Sequence, residues 1–218
     1  MENGRERSRE HSRKNAMFKG LYVNLEPLVL ASASPRRLEL LSSMGVQVEV
    51  EPSGVEESKS PAGNPLRLVQ HWALEKARAV SQLKRAHWVL AADTAVVLEG
   101  RVFGKPRNDS EAIDMLEALS GKCHRVISAF CLKHGGRGVE HVSAVSTRVH
   151  FKSLLREEMA AYVRTGECLD KAGAYGIQGF GAFMVRALEG SYTNVVGLPL
   201  CETLECLMAH GVIEPARE

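Results

Sequence analysis

Leu28-Val-Leu-Ala-Ser-Ala-Ser-Pro-Arg-Arg37 runs an apolar strand into two serines, a proline and two arginines before a helix begins. Leu28 to Ala31 is short and apolar enough to fill a buried strand, and Leu38, Leu41 and Met44 recur at helical spacing just beyond it. Ser34 suits an N-cap, and Pro35 suits the first helical position, where its missing N–H costs nothing. The helix start then aims free N–H groups and the positive end of its dipole at whatever lies beyond the strand. Arg36 falls in the first turn, where a cation is unfavourable to the dipole unless an anion is near. An ordinary surface arginine pair is the plain alternative. A second alternative, a Ser-Pro-Arg-Arg segment bound in a DNA minor groove, belongs to disordered basic tails rather than to a segment locked between strand and helix.

The chain has 218 residues, enough for one generous domain or two small lobes, with room for a real core. An apolar content of 44% with 25% charged residues is ordinary for a soluble globular protein. A net charge of +2 does not argue for nucleic acid, so any strong positive potential must be local. Cys123, Cys131, Cys168, Cys201 and Cys206 are scattered, odd in number and without a Cys-x-x-Cys pair, which reads as reduced thiols in a cytoplasmic protein. Residues 1–20 carry Arg, Glu and Ser with almost no apolar content and are expected to be a disordered tail. Glu2, Glu6 and Glu10 argue against a mitochondrial presequence, and no apolar run approaches the length of a membrane span. One domain over 21–212 and a short tail over 213–218 are expected.

Val46 to Val50 alternates like a half-exposed strand, and a loop containing Glu56-Glu57 follows. Asn64-Pro65 opens a long helix with Leu66, Val69, Ala73, Ala77 and Val80 on one face. Lys76 lies with Leu68 and Trp72 beside that apolar stripe, an unusual place for an idle lysine. Trp88 to Ala92 reads as a second buried strand that ends on Asp93-Thr94, and Glu99-Gly100 as a hairpin turn leading to Lys105-Pro106. A helix capped at Asn108 or Asp109, long strands over 123–133 and 139–151, and a helix capped by Ser153 come next. A glycine-dense stretch over 170–179, a strand over 182–187 and a helix over 201–210 complete the chain. The mixture argues for an α/β fold with a mixed sheet and a cleft.

Ligands of open α/β sheets collect at the carboxyl ends of strands, where Ser32 to Arg37 and Asp93-Thr94 both fall. A lone Asp after a strand is often a helix cap, but Ala95 continues as strand, so Asp93 must be paired, hydrated or metal-bound. With a carboxylate from Glu56-Glu57 it could form an oxygen site for Mg²⁺; a solvated loop is the alternative for that glutamate pair. Arg36, Arg37, Lys76 and Lys105 make a cation set suited to a polyphosphate. No Gly-x-x-x-x-Gly-Lys-Ser/Thr loop, paired-histidine metal spacing or Gly-x-Ser-x-Gly elbow is present.

Leu-Ala-Ser-Ala-Ser-Pro-Arg-Arg at 30–37, Glu-Lys-Ala at 75–77, Ala-Ala-Asp-Thr at 91–94, Gly-Lys-Pro at 104–106, Leu-Ser-Gly at 119–121, Asp-Lys-Ala-Gly-Ala-Tyr-Gly-Ile-Gln-Gly at 170–179 and Val-Val-Gly-Leu-Pro-Leu at 195–200 together resemble the Maf family. That resemblance implies a Maf or inosine triphosphatase-like fold, with a mixed, elongated, twisted sheet flanked by helices in two lobes about a central cleft, and a nucleotide pyrophosphatase domain; the 170–179 block is similar to the subgroup acting on dTTP and UTP. It implies Asp93 as general base or metal-side carboxylate and Glu57 as the second carboxylate. Ser32, Arg36, Lys76 and Lys105 resemble the family's phosphate-handling set, and Arg36, Thr94 and Gln178 the positions tied to specificity. Gln178 can both donate and accept, as the imide edge of uracil or thymine requires; the alternative is a glutamine bonded to its own loop.

The implied activity is a house-cleaning hydrolysis of the α–β bond of pyrimidine nucleoside triphosphates, with Mg²⁺, or Mn²⁺, as cofactor and a link to cell-division arrest. Its partner is a small-molecule nucleotide, with no nucleic acid and no membrane, and a homodimer stays open. The alternative is a nucleic-acid-binding regulator of septum formation without catalysis, against which the near-neutral charge and acidic loops speak.

Overall fold

A computed structural model describes residues 20–56 and 63–217. The expected tail over 1–20, Gly20 apart, therefore lies outside the described residues, as does Glu57. Among the described residues, no helix is long and apolar enough to cross a membrane.

A seven-stranded mixed sheet carries the fold. Its strands are β2 (Leu28–Leu30), β3 (Glu49–Val50), β4 (Trp88–Leu98), β5 (Arg101–Phe103), β6 (Cys123–His134), β7 (Val139–Phe151) and β8 (Val185–Glu189). They run in the order β3-β2-β4-β6-β7-β8, with β5 beside β4. β2 is parallel to both β3 and β4, and the pairs β4–β6, β6–β7 and β7–β8 are antiparallel. A separate two-stranded sheet joins β1 (Tyr22–Asn24) to β9 (Ile213–Pro215). The fold thus extends past the expected domain end at 212, because Ile213 is buried and pairs with Asn24.

The helices are α1 (Pro35–Ser43), α2 (Pro65–Leu83), α3 (Asp109–Leu119), α4 (Arg156–Val163), α5 (Tyr192–Val196) and α6 (Leu200–Ala209). Side chains on a strand alternate between faces, and β4 divides its burial accordingly. Val89, Ala91, Ala95 and Val97 pack with Val69, Ala73, Ala77 and Val80 of α2. On the opposite face, Trp88, Leu90 and Ala92 join Leu41 of α1 and Leu204 and Leu207 of α6. Farther along that face, Val96 and Leu98 enter another core with Leu116, Met159, Tyr162 and Tyr175. Thr94 stands between those two cores. Along one edge of β4, β2 pairs with Trp88 to Leu90 and β5 with Val96 to Leu98, which leaves Ala91 to Ala95 without a described strand partner there. The sheet opens at that gap, and Asp93 is at its centre.

Several boundaries differ from expectation for local reasons. Only Glu49–Val50 of the 46–50 run pairs as strand. The segment Gly179–Met184 winds as a 3-10 helix, so the next strand begins at Val185 rather than Ala182. Leu155, not Ser153, caps α4, because the Glu158 carboxylate accepts the Leu155 N–H at 2.9 Å.

Within β6, His124 is 1% exposed and its Nε2 lies 2.8 Å from the Tyr175 hydroxyl. Burial, with the nearby His150 second, pushes the His124 imidazole down from 6.5 to about 4. Unfolded chain then binds a proton near pH 6.5 that the folded chain refuses until about pH 4, so stability falls as acidity rises through that window. Up to about 3 kcal/mol is at stake. His124→Gln should flatten the decline of the urea midpoint between pH 6.5 and 4 relative to the parent. Parallel pH profiles for the two proteins would show that His124 does not set acid stability.

Candidate active site

The gap beside β4 opens into a cleft of about 630 Å³, within the usual range for small-molecule sites. Ser32 and Arg36 line it from the β2–α1 connection, and Asp93 and Thr94 line it from β4. Lys76 reaches it from α2, Lys105 from the loop after β5, and Asp170, Lys171 and Gln178 from the glycine-rich stretch. Every expected site residue that is described is therefore at one cleft. Glu57 falls outside the described residues, and its neighbour Glu56 is exposed.

Each side chain arrives there through a traceable local cause. Asp93 shares the face of Val89 and Ala91, the face covered by α2. Lys76 is one turn from Trp72 and Ala73 on the buried side of that helix, so the two meet: Lys76 Nζ donates to Asp93 Oδ1 at 2.7 Å. Both side chains are nearly covered, at 13% and 12% exposure. An isolated ion at either place would be costly, and the pair offsets that cost.

Thr94 points the other way and enters a polar seam. Its Oγ1 is 2.8 Å from Ser128 Oγ, directly across on β6, and accepts from Arg37 Nη2 at 3.2 Å. Ser128 in turn donates its hydroxyl to the carbonyl of Asn194 at 2.9 Å. Asn194, fully buried, accepts the Ser128 N–H and donates to the Val126 carbonyl and Thr147 Oγ1. These groups fix the floor of the cleft.

The adjacent arginines diverge. Arg37 donates to Ser32 Oγ at 2.9 Å and to the Gly197 carbonyl at 2.8 Å, tying β2, β4 and the turn after α5 together. Arg36 reaches across the cleft mouth to Asp170 at 2.8 Å, the anionic partner its place in the first turn of α1 required. Burial would raise the Asp170 carboxyl, but hydrogen bonds from Lys171 and Arg36 outweigh it and hold the group below the usual carboxylate range. Ser34 occupies the N-cap of α1 as expected, yet its side chain makes no capping bond; its N–H instead donates to Ser32 Oγ at 3.3 Å.

Asp170 and Lys171 are cleft residues that sequence reasoning passed over, although they open the glycine-dense run. Ser128 and Asn194 carried no such signal, since their partners are remote in the chain. The run itself needs glycine where the backbone is close and left-handed: at Gly173 φ is +69°, and an added Cβ would lie 3.0 Å from the Val96 methyl carbons. Gly173 N–H donates to the Gly104 carbonyl at 3.0 Å, which couples this loop to the one bearing Lys105.

Residues 27–210 match the family described as Maf-like protein. The chain is 48% identical to the dTTP/UTP pyrophosphatase of Geobacter sp. (strain M21) over 186 residues, 85% of this chain and 96% of that protein. It is 46% identical over 193 residues to the dTTP/UTP pyrophosphatase of Desulfotalea psychrophila, covering 88% and 99%, and 48% identical over 188 residues to that of Moorella thermoacetica, covering 86% and 97%. Among solved structures, the Ham1 protein of Staphylococcus aureus aligns with a TM-score of 0.46 and 14% identity over 73% of this chain and 80% of that one.

Removing the two arginines should have unequal effects on stability. Arg37→Met leaves the Gly197 carbonyl and Ser32 hydroxyl short of a charged donor and should cost about 2–4 kcal/mol. Arg36→Met loses one ion pair to the half-exposed Asp170 and should cost less than about 1 kcal/mol. Urea denaturation of both variants checks the contrast; equal losses would mean that Arg37 is no strut.

Proposed function

Because the chain belongs to the Maf-like protein family, we infer that it is a nucleoside triphosphate pyrophosphatase that acts on dTTP and UTP. The observation that carries this reading is one cleft lined by Asp93, at an open strand edge and paired with Lys76, and by Arg36, Lys105 and Lys171. A triphosphate is the small ligand whose charge matches that cation set, and phosphoryl chemistry needs little beyond positioning and charge compensation.

The reaction transfers the α-phosphorus from the pyrophosphate oxygen to a water oxygen. Asp93 accepts the proton of the attacking water as the new P–O bond forms. The α–β bond breaks, and its electrons leave on pyrophosphate, giving nucleoside monophosphate. Lys76 holds the Asp93 carboxylate in place. Arg36, Lys105 and the Ser32 hydroxyl bind the phosphates and offset the charge that grows on the leaving group. Arg37 orients Ser32 and Thr94 through the bonds described above.

The described lining offers carboxylate and hydroxyl oxygens but no histidine or cysteine, a donor set that suits a hard cation such as Mg²⁺ or Mn²⁺. Asp93 and Glu57 are the residues that would hold it, and when bound it would neutralise phosphate charge. Gln178 is exposed at the cleft, where its amide can pair with the imide edge of uracil or thymine. The alternative, a nucleic-acid-binding regulator without catalysis, is not favoured: the relatives are named as pyrophosphatases, and the cations line a cleft that also holds two carboxylates.

Asp93→Asn should preserve folding and lower turnover of UTP at least about a hundredfold, the usual contribution of a positioned acid–base group. Pyrophosphate release within a few-fold of the parent would make Asp93 structural. Gln178→Ala should reduce kcat/KM for UTP and dTTP about tenfold or more and narrow the gap to CTP and GTP. A uniform loss over all four triphosphates would move base selection to Arg36 or Thr94.

A further inference from the structure

Gln178 stands on a loop, and a base edge is discriminated only by a group held to within a fraction of an ångström. Something must fix that loop from outside the cleft. We propose that Glu167 is the positioning residue for base selection: its carboxylate clamps both shoulders of the loop whose apex carries Gln178. This inference rests on the reading of the 175–179 loop as the base-recognition element.

Glu167 is not among the residues lining the cleft, so it acts through the loop rather than on the nucleotide. On the far shoulder, Phe180 N–H donates to Glu167 Oε2 at 3.1 Å and Gly181 N–H to Oε1 at 3.3 Å. On the near shoulder, the Tyr162 hydroxyl donates to Oε1 at 3.2 Å and accepts the Gly176 N–H, also at 3.2 Å. One carboxylate thus gathers three donors, and Gln178 lies between the tethered positions. The loop is wound tightly enough to require glycine. Gly179 has φ +64°, and a Cβ there would lie 2.7 Å from Glu167 Oε2. Gly181 packs so closely on the Gly176 carbonyl that a Cβ there would overlap backbone, and Lys171 Nζ donates to the Glu167 carbonyl. Glu167 is held in turn: its N–H donates to Thr165 Oγ1, whose hydroxyl donates back to the Tyr162 carbonyl.

A carboxylate is the side chain this arrangement needs. Its two oxygens accept from every side, whereas an amide of the same shape turns an NH₂ group toward a backbone or hydroxyl donor. Glu167→Gln therefore loosens one shoulder without creating a cavity. Expected is a rise of about tenfold in KM for UTP and dTTP, kcat within about threefold, and a narrowed preference over CTP and GTP. The double variant with Gln178→Ala should be no more impaired than Gln178→Ala alone, because the two act in one chain of cause. Tyr162→Phe, which removes the link to Gly176 and one donor to Glu167 but leaves the Phe180 and Gly181 bonds in place, should shift KM in the same direction by less.

An equal loss for all four triphosphates, carried in kcat, would overturn the proposal, as would unchanged UTP kinetics in folded Glu167→Gln. If that variant fails to fold, Tyr162→Phe decides: a raised KM with narrowed selectivity supports the role, and an unchanged KM overturns it. Selectivity lost in Gln178→Ala but kept in Glu167→Gln would leave base recognition at Gln178 and remove Glu167 from it. Selectivity lost in Glu167→Gln but kept in Gln178→Ala would confirm the clamp and assign recognition to another residue of the loop. Selectivity kept in both variants would overturn the two readings together.

Discussion

Neighbouring residues on a strand cannot face the same way, and the site is built on that restriction at Asp93 and Thr94. Asp93 belongs with the residues covered by α2 and finds Lys76; Thr94 turns to the opposite face and finds Ser128 and Arg37. Both nevertheless line one cleft, because β2 and β5 pair with the two ends of β4 and leave its middle open along that edge. A single unpaired stretch of strand edge thus does two things. It breaks the sheet where a ligand can approach, and it offers that ligand chemistry from both faces.

A cleft holding this many cations repels itself unless something holds the charges apart or compensates them. Two carboxylates do so in different settings. The Lys76–Asp93 pair is nearly covered, so its attraction is little screened and its geometry is fixed. Arg36–Asp170 spans the mouth with Asp170 about half exposed, so that pair is weak and can exchange partners with an arriving phosphate at small cost. The inner pair preserves the shape of the site, and the outer one leaves its entrance exchangeable.

Much of this was legible in the sequence where one periodicity decides the matter. The apolar run from Leu28, the continuation of strand past Asp93, and Lys76 beside an apolar helical stripe are each short-range patterns, and each led to its place in the cleft. Strand ends were less legible, because pairing partners rather than composition set them. Only two residues of the 46–50 run find β2, and the 3-10 helix over Gly179–Met184 takes the first three residues of the strand expected over 182–187. Ser128, Asn194 and Glu167 were out of reach of such patterns. Their importance lies in bonds to residues remote along the chain, and the Glu158 carboxylate displaced Ser153 as a cap by a contact that composition does not rank.

The small sheet at the molecule's edge has a consequence for synthesis. Tyr22 pairs with Pro215, so β1 must wait until every other described strand has been made. Until Ile213 emerges, Tyr22 to Asn24 has no described strand to pair with, and the core around Leu204 and Leu207 lacks one of its walls. Contacts of such sequence separation form late, because the entropy of closing the intervening chain comes before any reward. During synthesis, the sheet around β4 can assemble while this clasp is still unmade, and the emergence of Ile213 to Pro215 is the event that lets it close.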